Sequence, residues 1–264
     1  MTRLFALLAV VLASLSTPSL AIEITYSSVN PFNGMPSPAE SIMLRGEIGP
    51  GDYESLLSFI SRDQDRFWRS MGITLASPGG DVQESLKIAR LVKGTYFPVF
   101  VGESTGRCAS ACFFIYAAAV RRDAATRTLG IHRPYVHPKR LISASVVQAE
   151  SLQRDALKEA RGFLESQDIP TALIDKMFQL ASNEIYWLSQ EEVAEQVGRR
   201  PPWYEQFLIA KCGLEKSAER RYFLTSDSSI LSQLIAADTC GIELTAKEGR
   251  AFLRTELQRT PKLK

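Results

Sequence analysis

Short apolar segments alternate with helical segments through the first half of this 264-residue chain. Segments with the apolar or alternating pattern of strands occupy residues 42–48, 73–76, 98–101 and 128–132. Between them, amphipathic or wholly apolar segments predict helices over residues 52–68, 82–93 and 111–120. Strands that alternate with helices form a mostly parallel sheet with right-handed crossovers. We therefore expect an α/β fold in which the apolar segment 111–120 is a buried helix.

The second half of the chain has a mainly helical pattern. It predicts a long charged helix over residues 143–167, a helix over 170–180, a short strand at 186–189 and a helix that ends at Gly198. The run Arg199-Arg200-Pro201-Pro202 has the composition of a boundary, and two or three helices are predicted after it. We expect one α/β domain over residues 22–198 and a helical region over residues 199–264.

The N-terminus carries the features of a signal peptide. Arg3 supplies a positive charge, residues 4–15 form an apolar run, and Ser19-Leu20-Ala21 offers small residues to a signal peptidase. We expect cleavage after Ala21 and export, either to the periplasm or as a secreted protein. An uncleaved anchor is the alternative, but the run is short for a bilayer and Thr17-Pro18-Ser19 interrupts it. We expect no membrane span in the mature chain, because no later segment is long and apolar enough.

The charge of the chain argues against a nucleic-acid partner. Lysine and arginine number 31 and aspartate and glutamate 29, which gives a formal net charge of +2. No long basic block is present in the sequence. We therefore expect no binding to nucleic acid.

Four cysteines are present in the sequence: Cys108, Cys112, Cys212 and Cys240. An even number of cysteines in an exported chain suggests disulfides. Of the three possible pairings we favour Cys108–Cys112 and Cys212–Cys240. Two buried free thiols are the alternative for the first pair. A zinc site is disfavoured, because the spacing is wrong and neither histidine lies near the second pair, so we expect no metal.

Three sets of chemically useful residues stand at the ends of predicted elements. Ser77-Pro78-Gly79-Gly80-Asp81 is a turn after the strand 73–76, Ser110 precedes the apolar helix, and His132 ends the strand 128–132. Ligand sites in parallel sheets lie at the carboxyl ends of strands. A serine, a histidine and the amides of a glycine turn can supply a nucleophile, a base and donors to an oxyanion.

Each of these residues also has a simpler interpretation. Ser110 could be the N-cap of a helix, His132 a buried histidine that bonds the backbone, and Gly79–Gly80 only a turn that needs positive φ. Cys112 could replace Ser110 as the nucleophile, but we expect it to point into the helix core. The joint order of serine, histidine and glycine turn favours a hydrolase site.

The combined pattern resembles the proteolytic subunit of the Clp protease (ClpP) and, more broadly, the ClpP/crotonase superfamily, which includes the signal peptide peptidase. The resemblance covers about residues 40–198 and depends on Ser77-Pro78-Gly79-Gly80, Ala109-Ser110 and Ile131-His132-Arg133-Pro134. Residues 186–198 also resemble the family's closing strand and helix. The resemblance implies a ClpP/crotonase-like ββα-repeat superhelix with a mostly parallel sheet, to which a small helical C-terminal appendage is added.

The resemblance also implies roles for individual residues. Ser110 corresponds to the nucleophile, His132 to the general base, and the amides of Gly80 and Ala111 to the oxyanion hole. The sequence departs from the family at the third catalytic residue, because Ala181 or Ser182 stands where an aspartate is expected. Asn183 and Glu184 are the nearest polar residues, and we take Asn183 as the candidate orienter of the histidine. An asparagine can orient the ring but cannot stabilise the imidazolium by charge.

The function implied by the resemblance is that of a serine hydrolase, specifically a peptidase that cleaves polypeptides, and a homo-oligomer is implied as well. The ATP-driven partner of ClpP is not carried over, because ATP is not expected outside the cytoplasm. We therefore expect an ATP-independent enzyme with no cofactor and no ATPase partner. A catalytically inactive binding or assembly module is the alternative, since the triad aspartate is missing. Crotonase-type acyl-thioester chemistry is disfavoured, because an exported protein meets little coenzyme A.

Overall fold

The computed structural model describes residues 21–225 and 227–260, so the predicted signal segment lies outside the described residues apart from Ala21. The strands are β1 (Glu23–Val29), β2 (Pro36–Arg45), β3 (Ile73–Ala76), β4 (Val99–Val101), β5 (Cys108–Ala109), β6 (Arg122–Ala124), β7 (Leu129–Ile131) and β8 (Tyr186–Trp187). The α-helices are α1 (Asp52–Arg62), α2 (Gln64–Arg69), α3 (Val82–Thr95), α4 (Cys112–Ala117), α5 (Val146–Glu165), α6 (Thr171–Gln179), α7 (Gln190–Glu192), α8 (Pro202–Cys212), α9 (Ala218–Thr225) and α10 (Ser228–Arg259). A 3₁₀ turn at Pro138–Arg140 and a π-helical turn at Val193–Val197 complete the described elements.

Two sheets form the frame of the α/β body. The larger sheet has the order β1-β2-β3-β4-β6 and is parallel except for β1, which runs antiparallel to β2. The smaller sheet has the order β5-β7-β8, with β5 parallel to β7 and β8 antiparallel to it. A bridge between Ser77 and Cys108 links the end of β3 to β5. The predicted α/β fold with a mostly parallel sheet is confirmed.

Several predicted elements have different bounds in the structure. The helix predicted over residues 52–68 is two helices, because the backbone turns at Asp63 and its side chain caps α2 by accepting from the amide of Arg66. The helix predicted over residues 111–120 is confined to α4. The strands β1, β5 and β6 were not predicted, since β1 is a half-exposed strand and the other two are very short.

Helix α4 lies in the middle of the core, and every one of its residues is buried. Its C-terminal end is held by Arg122, whose guanidinium donates to the carbonyls of Ala117 (2.5 Å), Gly198 (3.0 Å) and Val197. Burial lowers the pKa of Arg122 to about 10. The arginine thereby joins the end of α4 to the π-helical turn that follows β8 and α7.

The C-terminal helices α8, α9 and α10 contribute most of a second apolar cluster, which joins Tyr204, Leu208 and Leu234 with Val120 of the α/β body. Cysteines 212 and 240 form a disulfide between α8 and α10. The far end of α10 packs on α3, where the Phe252 ring covers Gly94. The helical C-terminal region is therefore attached along one side of the α/β body. None of the helices in residues 21–225 and 227–260 has the length and apolar character needed to cross a membrane.

Candidate active site

The predicted nucleophile and base stand at the carboxyl ends of two neighbouring parallel strands. In the β5–β7 pair, Cys108 lies opposite Leu129 and Ala109 opposite Gly130. Ser110 follows β5 directly, and His132 follows β7 directly. Because the strands are parallel and in register, both residues leave the sheet at the same edge.

Ser110 adopts a left-handed backbone conformation, with φ of +56°. A non-glycine residue in this conformation is uncommon and costs free energy, so the surrounding structure must hold it. Its amide donates to the carbonyl of Gly130 at 3.0 Å, and its carbonyl accepts from the amide of Phe113 at 2.9 Å. The side chain does not cap α4, because Ala111 occupies the N-cap position and no side-chain cap bond is present there.

A disulfide spans the turn that contains Ser110. Cys108 in β5 and Cys112 in the first turn of α4 are bonded, as predicted, and both side chains are fully buried. The pairing excludes Cys112 as a free nucleophilic thiol. The serine thus lies inside a five-residue covalent ring that includes the end of β5 and the start of α4.

The glycine turn passes directly beside Ser110. Gly79 has a φ of +102°, and a Cβ placed on it would lie 2.5 Å from the Cβ of Ser110 and 2.9 Å from the nitrogen of Ala111. A Cβ on Gly80 would lie 2.1 Å from the carbonyl oxygen of Ile48. Both positions therefore require glycine for space as well as for backbone conformation.

Gly80 and Ala111, the predicted oxyanion donors, lie on the two segments that meet beside Ser110, since a Cβ on Gly79 would lie 2.9 Å from the nitrogen of Ala111. Ile48 forms a parallel bridge with Gly80, in which its amide donates to the carbonyl of Gly79 and its carbonyl accepts from the amide of Asp81. In this pattern the amide of Gly80 points away from Ile48. Among the described residues, neither the amide of Gly80 nor that of Ala111 donates to a backbone carbonyl.

His132 is almost fully buried and has a defined partner at one ring nitrogen. Its Nδ1 lies 3.0 Å from the carbonyl oxygen of Arg133. A carbonyl can only accept a hydrogen bond, so Nδ1 carries the proton and Nε2 is left as the basic nitrogen. The ring also stacks with Tyr135, with centroids 6.0 Å apart and planes inclined by 19°.

The structure shows a different partner for His132 than the predicted Asn183. The side chain of Asn183 is exposed, and so are those of Ala181 and Ser182. No side chain among the described residues hydrogen-bonds to the His132 ring. The partner of Nδ1 is the backbone carbonyl of Arg133, and a sequence pattern cannot reveal a backbone partner of this kind.

Two polar contacts hold the loop between His132 and α5, one to the glycine turn and one to the segment that follows β2. Arg140 donates through two nitrogens to the carboxylate of Asp81, which follows Gly80 and caps α3. His137 Nε2 lies 3.3 Å from Oε1 of Glu47. These contacts were not predicted, because they join segments about 60 and 90 residues apart.

A cleft of about 480 Å³ opens next to His132. One wall is the segment after β7 and the other is the segment between α6 and β8, with α5 contributing one residue. Its lining includes Arg133, Pro134, Tyr135, Gln153, Gln179 and Leu180. Within the described part of the chain, no cluster of three or more histidine, cysteine or carboxylate side chains is placed to hold a metal.

No family model matches the chain, and no curated protein matches it in sequence. Among solved structures, it is similar to ClpP1 from Listeria monocytogenes at 19% identity and a TM-score of 0.40, over 60% of this chain and 86% of that one. A mutant of that ClpP1 matches at 21% identity and a TM-score of 0.42, with the same coverage. A mutant of the 1510-N membrane-bound stomatin-specific protease matches at 16% identity and a TM-score of 0.39, over 65% of this chain and 83% of that one. At these TM-scores the similarities do not define the chemistry of the site.

Proposed function

We propose that this protein is an exported serine hydrolase, most specifically an ATP-independent peptidase that cleaves polypeptides. The observation that carries the proposal is the left-handed Ser110 at the end of β5, one strand away from His132 at the end of β7. A strained serine in a tight strand-to-helix turn is a common setting for a nucleophile. The buried disulfide across the turn is consistent with an oxidising compartment.

In this proposal, Ser110 attacks the carbonyl carbon of the substrate while His132 Nε2 accepts the hydroxyl proton. The tetrahedral oxyanion binds the amides of Gly80 and Ala111. The protonated imidazole then donates to the leaving amine, and water hydrolyses the acyl-enzyme by the same route. The carbonyl of Arg133 holds the ring through Nδ1 and stabilises the imidazolium more weakly than a carboxylate would.

The remaining parts of the proposal follow from the sequence, and the oligomer from its resemblance to ClpP. Residues 1–21 act as a cleaved signal peptide. Residues 22–198 form the catalytic domain, and residues 199–264 form a helical region that contains the disulfide Cys212–Cys240. The active form is a homo-oligomer, and neither a cofactor nor an ATPase is required.

The test is active-site labelling of the mature chain, residues 22–264, with a fluorophosphonate probe, followed by peptide mass spectrometry. We expect an adduct on Ser110 that is lost in Ser110→Ala and strongly reduced in His132→Ala. Circular dichroism of each variant checks that the fold is retained. Absence of labelling in the folded, disulfide-bonded protein would contradict the proposal.

A non-catalytic binding or assembly module is the second candidate. It is favoured by the orienting group of His132, which is a neutral carbonyl where the related peptidases use a carboxylate. If the protein is a binding module, neither the folded wild type nor Ser110→Ala reacts with the probe. Both bind the same polypeptides with equal affinity.

A further inference from the structure

The cleft beside His132 has the position and size of a substrate pocket. Its volume of about 480 Å³ falls within the usual range for ligand sites. Arg133 and Tyr135 belong to its wall, and the first follows His132 in sequence while the second stacks on the His132 ring. A group bound in the cleft would therefore contact the residue that follows the proposed general base and the ring that stacks on it.

The cleft carries one formal charge. Arg133 is exposed and belongs to none of the ion pairs found among the described residues. The other lining residues are neutral: Pro134, Tyr135, Gln153, Gln179, Leu180, Ala181 and Ser182. A single unpaired guanidinium in an otherwise neutral cleft is complementary to one negative charge.

The backbone that carries Arg133 is held in place from both sides. Gln153 of α5 donates to the carbonyl of Pro134 at 3.3 Å and accepts from the amide of Val136 at 2.9 Å. The carbonyl of Arg133 itself bonds to the His132 ring. A guanidinium on a held segment loses less entropy when it binds than one on a free loop.

We propose that the cleft binds a carboxylate of the polypeptide substrate through Arg133, so that the enzyme prefers peptides with an acidic group beside the scissile bond. Guanidinium binds carboxylate through two parallel hydrogen bonds, a geometry that lysine does not reproduce. The carboxylate is either an aspartate or glutamate side chain or the C-terminus of the peptide. This inference rests on the proposed peptidase function.

Binding is measured first, on Ser110→Ala, so that the result does not depend on catalysis. Fluorescent peptides of one sequence are compared in three forms: neutral with an amidated C-terminus, the same with one internal glutamate, and neutral with a free C-terminal carboxylate. We expect one of the two acidic forms to bind about 10-fold more tightly than the neutral amide, as for a charge-assisted hydrogen-bonded pair. The form that gains affinity identifies the source of the carboxylate.

Variants of Arg133 test whether this residue provides the selectivity. All variants are made in the Ser110→Ala background. We expect Arg133→Gln to abolish the difference in affinity between acidic and neutral peptides, and Arg133→Lys to retain part of that difference. We expect Arg133→Glu to bind a peptide with lysine in place of the glutamate more tightly than the glutamate peptide. The reversed preference requires a folded protein, so it cannot result from misfolding. Arg154→Gln is the matched control, because Arg154 is an exposed arginine on α5 outside the cleft and pairs with Glu150.

The two proposals fail in different ways. Labelling of Ser110 by the fluorophosphonate together with equal binding of acidic and neutral peptides would overturn the carboxylate site and leave the hydrolase. If Arg133→Gln keeps the full preference for acidic peptides, the proposed carboxylate site is overturned as well. Acidic preference that depends on Arg133, without labelling of Ser110, would support the carboxylate site on a binding module.

Discussion

At the residue scale, the site depends on glycine where the chain passes closest to Ser110. Gly79 has a φ of +102°, and a Cβ there would lie 2.5 Å from the Cβ of Ser110. Gly79→Ala must therefore displace either the glycine turn or the serine. Because displacements of about 1 Å in a catalytic site can cost about 100-fold in rate, we expect the rate of fluorophosphonate labelling to fall by about that factor.

Gly162→Ala is the matched control for this substitution. Gly162 lies exposed within α5, and a Cβ there would meet no atom within 4 Å. Alanine is the better helix former, so the free energy of unfolding should rise by about 0.5–1 kcal/mol while labelling stays unchanged. A folded Gly79→Ala that labels as fast as wild type would show that Gly79 does not position the nucleophile.

At the scale of elements, β5 and α4 are connected by only Ser110 and Ala111, and the disulfide between Cys108 and Cys112 closes the same gap. Without it, the left-handed serine would be held by backbone hydrogen bonds alone. We expect the double substitution Cys108→Ala with Cys112→Ala to slow labelling of Ser110 at least about 10-fold, as a loosened nucleophile loses its alignment.

The second disulfide provides the control, since it joins α8 and α10 away from the site. Cys212→Ser with Cys240→Ser should lower the free energy of unfolding by about 3 kcal/mol, as is usual for a disulfide that closes a loop of this length, and should leave labelling intact. Labelling and urea unfolding are measured on the same samples. Equal loss of labelling in both double variants would mean that the effect reflects stability and not the position of Ser110.

The elements also show how far the sequence predicts this structure. Strands and helices with strong periodicity, such as β3 and α3, were predicted because local burial sets their pattern. The two-residue strand β5 was not predicted, because only its pairing with β7 makes it a strand. Ser110, His132 and Gly80 were predicted as site residues from their order along the chain. The carbonyl of Arg133 is adjacent to His132 in sequence, but every residue has a backbone carbonyl, so no side-chain pattern reveals this contact. The cleft depends on segments that are far apart in sequence, and no local pattern encodes it.

At the scale of the whole molecule, buried carboxyl groups make the free energy of unfolding depend on pH. Burial raises the pKa of Glu84, whose carboxylate accepts from the amide of Tyr53 at 3.0 Å. A carboxyl with a raised pKa stabilises the folded state fully below its unfolded pKa, which is about 4.3, and this contribution is lost as the pH rises through the folded value. At neutral pH the ionised Glu84 therefore costs stability relative to a neutral side chain.

Glu84→Gln removes this titration and keeps the shape of the side chain. The free energy of unfolding of the variant, minus that of wild type, should therefore increase as the pH rises from 4 to 7 in urea titrations at each pH. Glu54 is the comparison: burial raises its pKa, but a hydrogen bond from its own amide, the charge of Lys87 and a hydrogen bond from the Glu84 carboxyl lower it by more, so the net shift is downward. The ionised Glu54 stabilises the folded state above its unfolded pKa, and this stabilisation is lost as the pH falls. The free energy of unfolding of Glu54→Gln, minus that of wild type, should therefore decrease from pH 4 to 7. Slopes of the same sign for the two variants would contradict the assignment, which gives the two carboxyl groups pKa shifts of opposite direction although Lys87 contacts both.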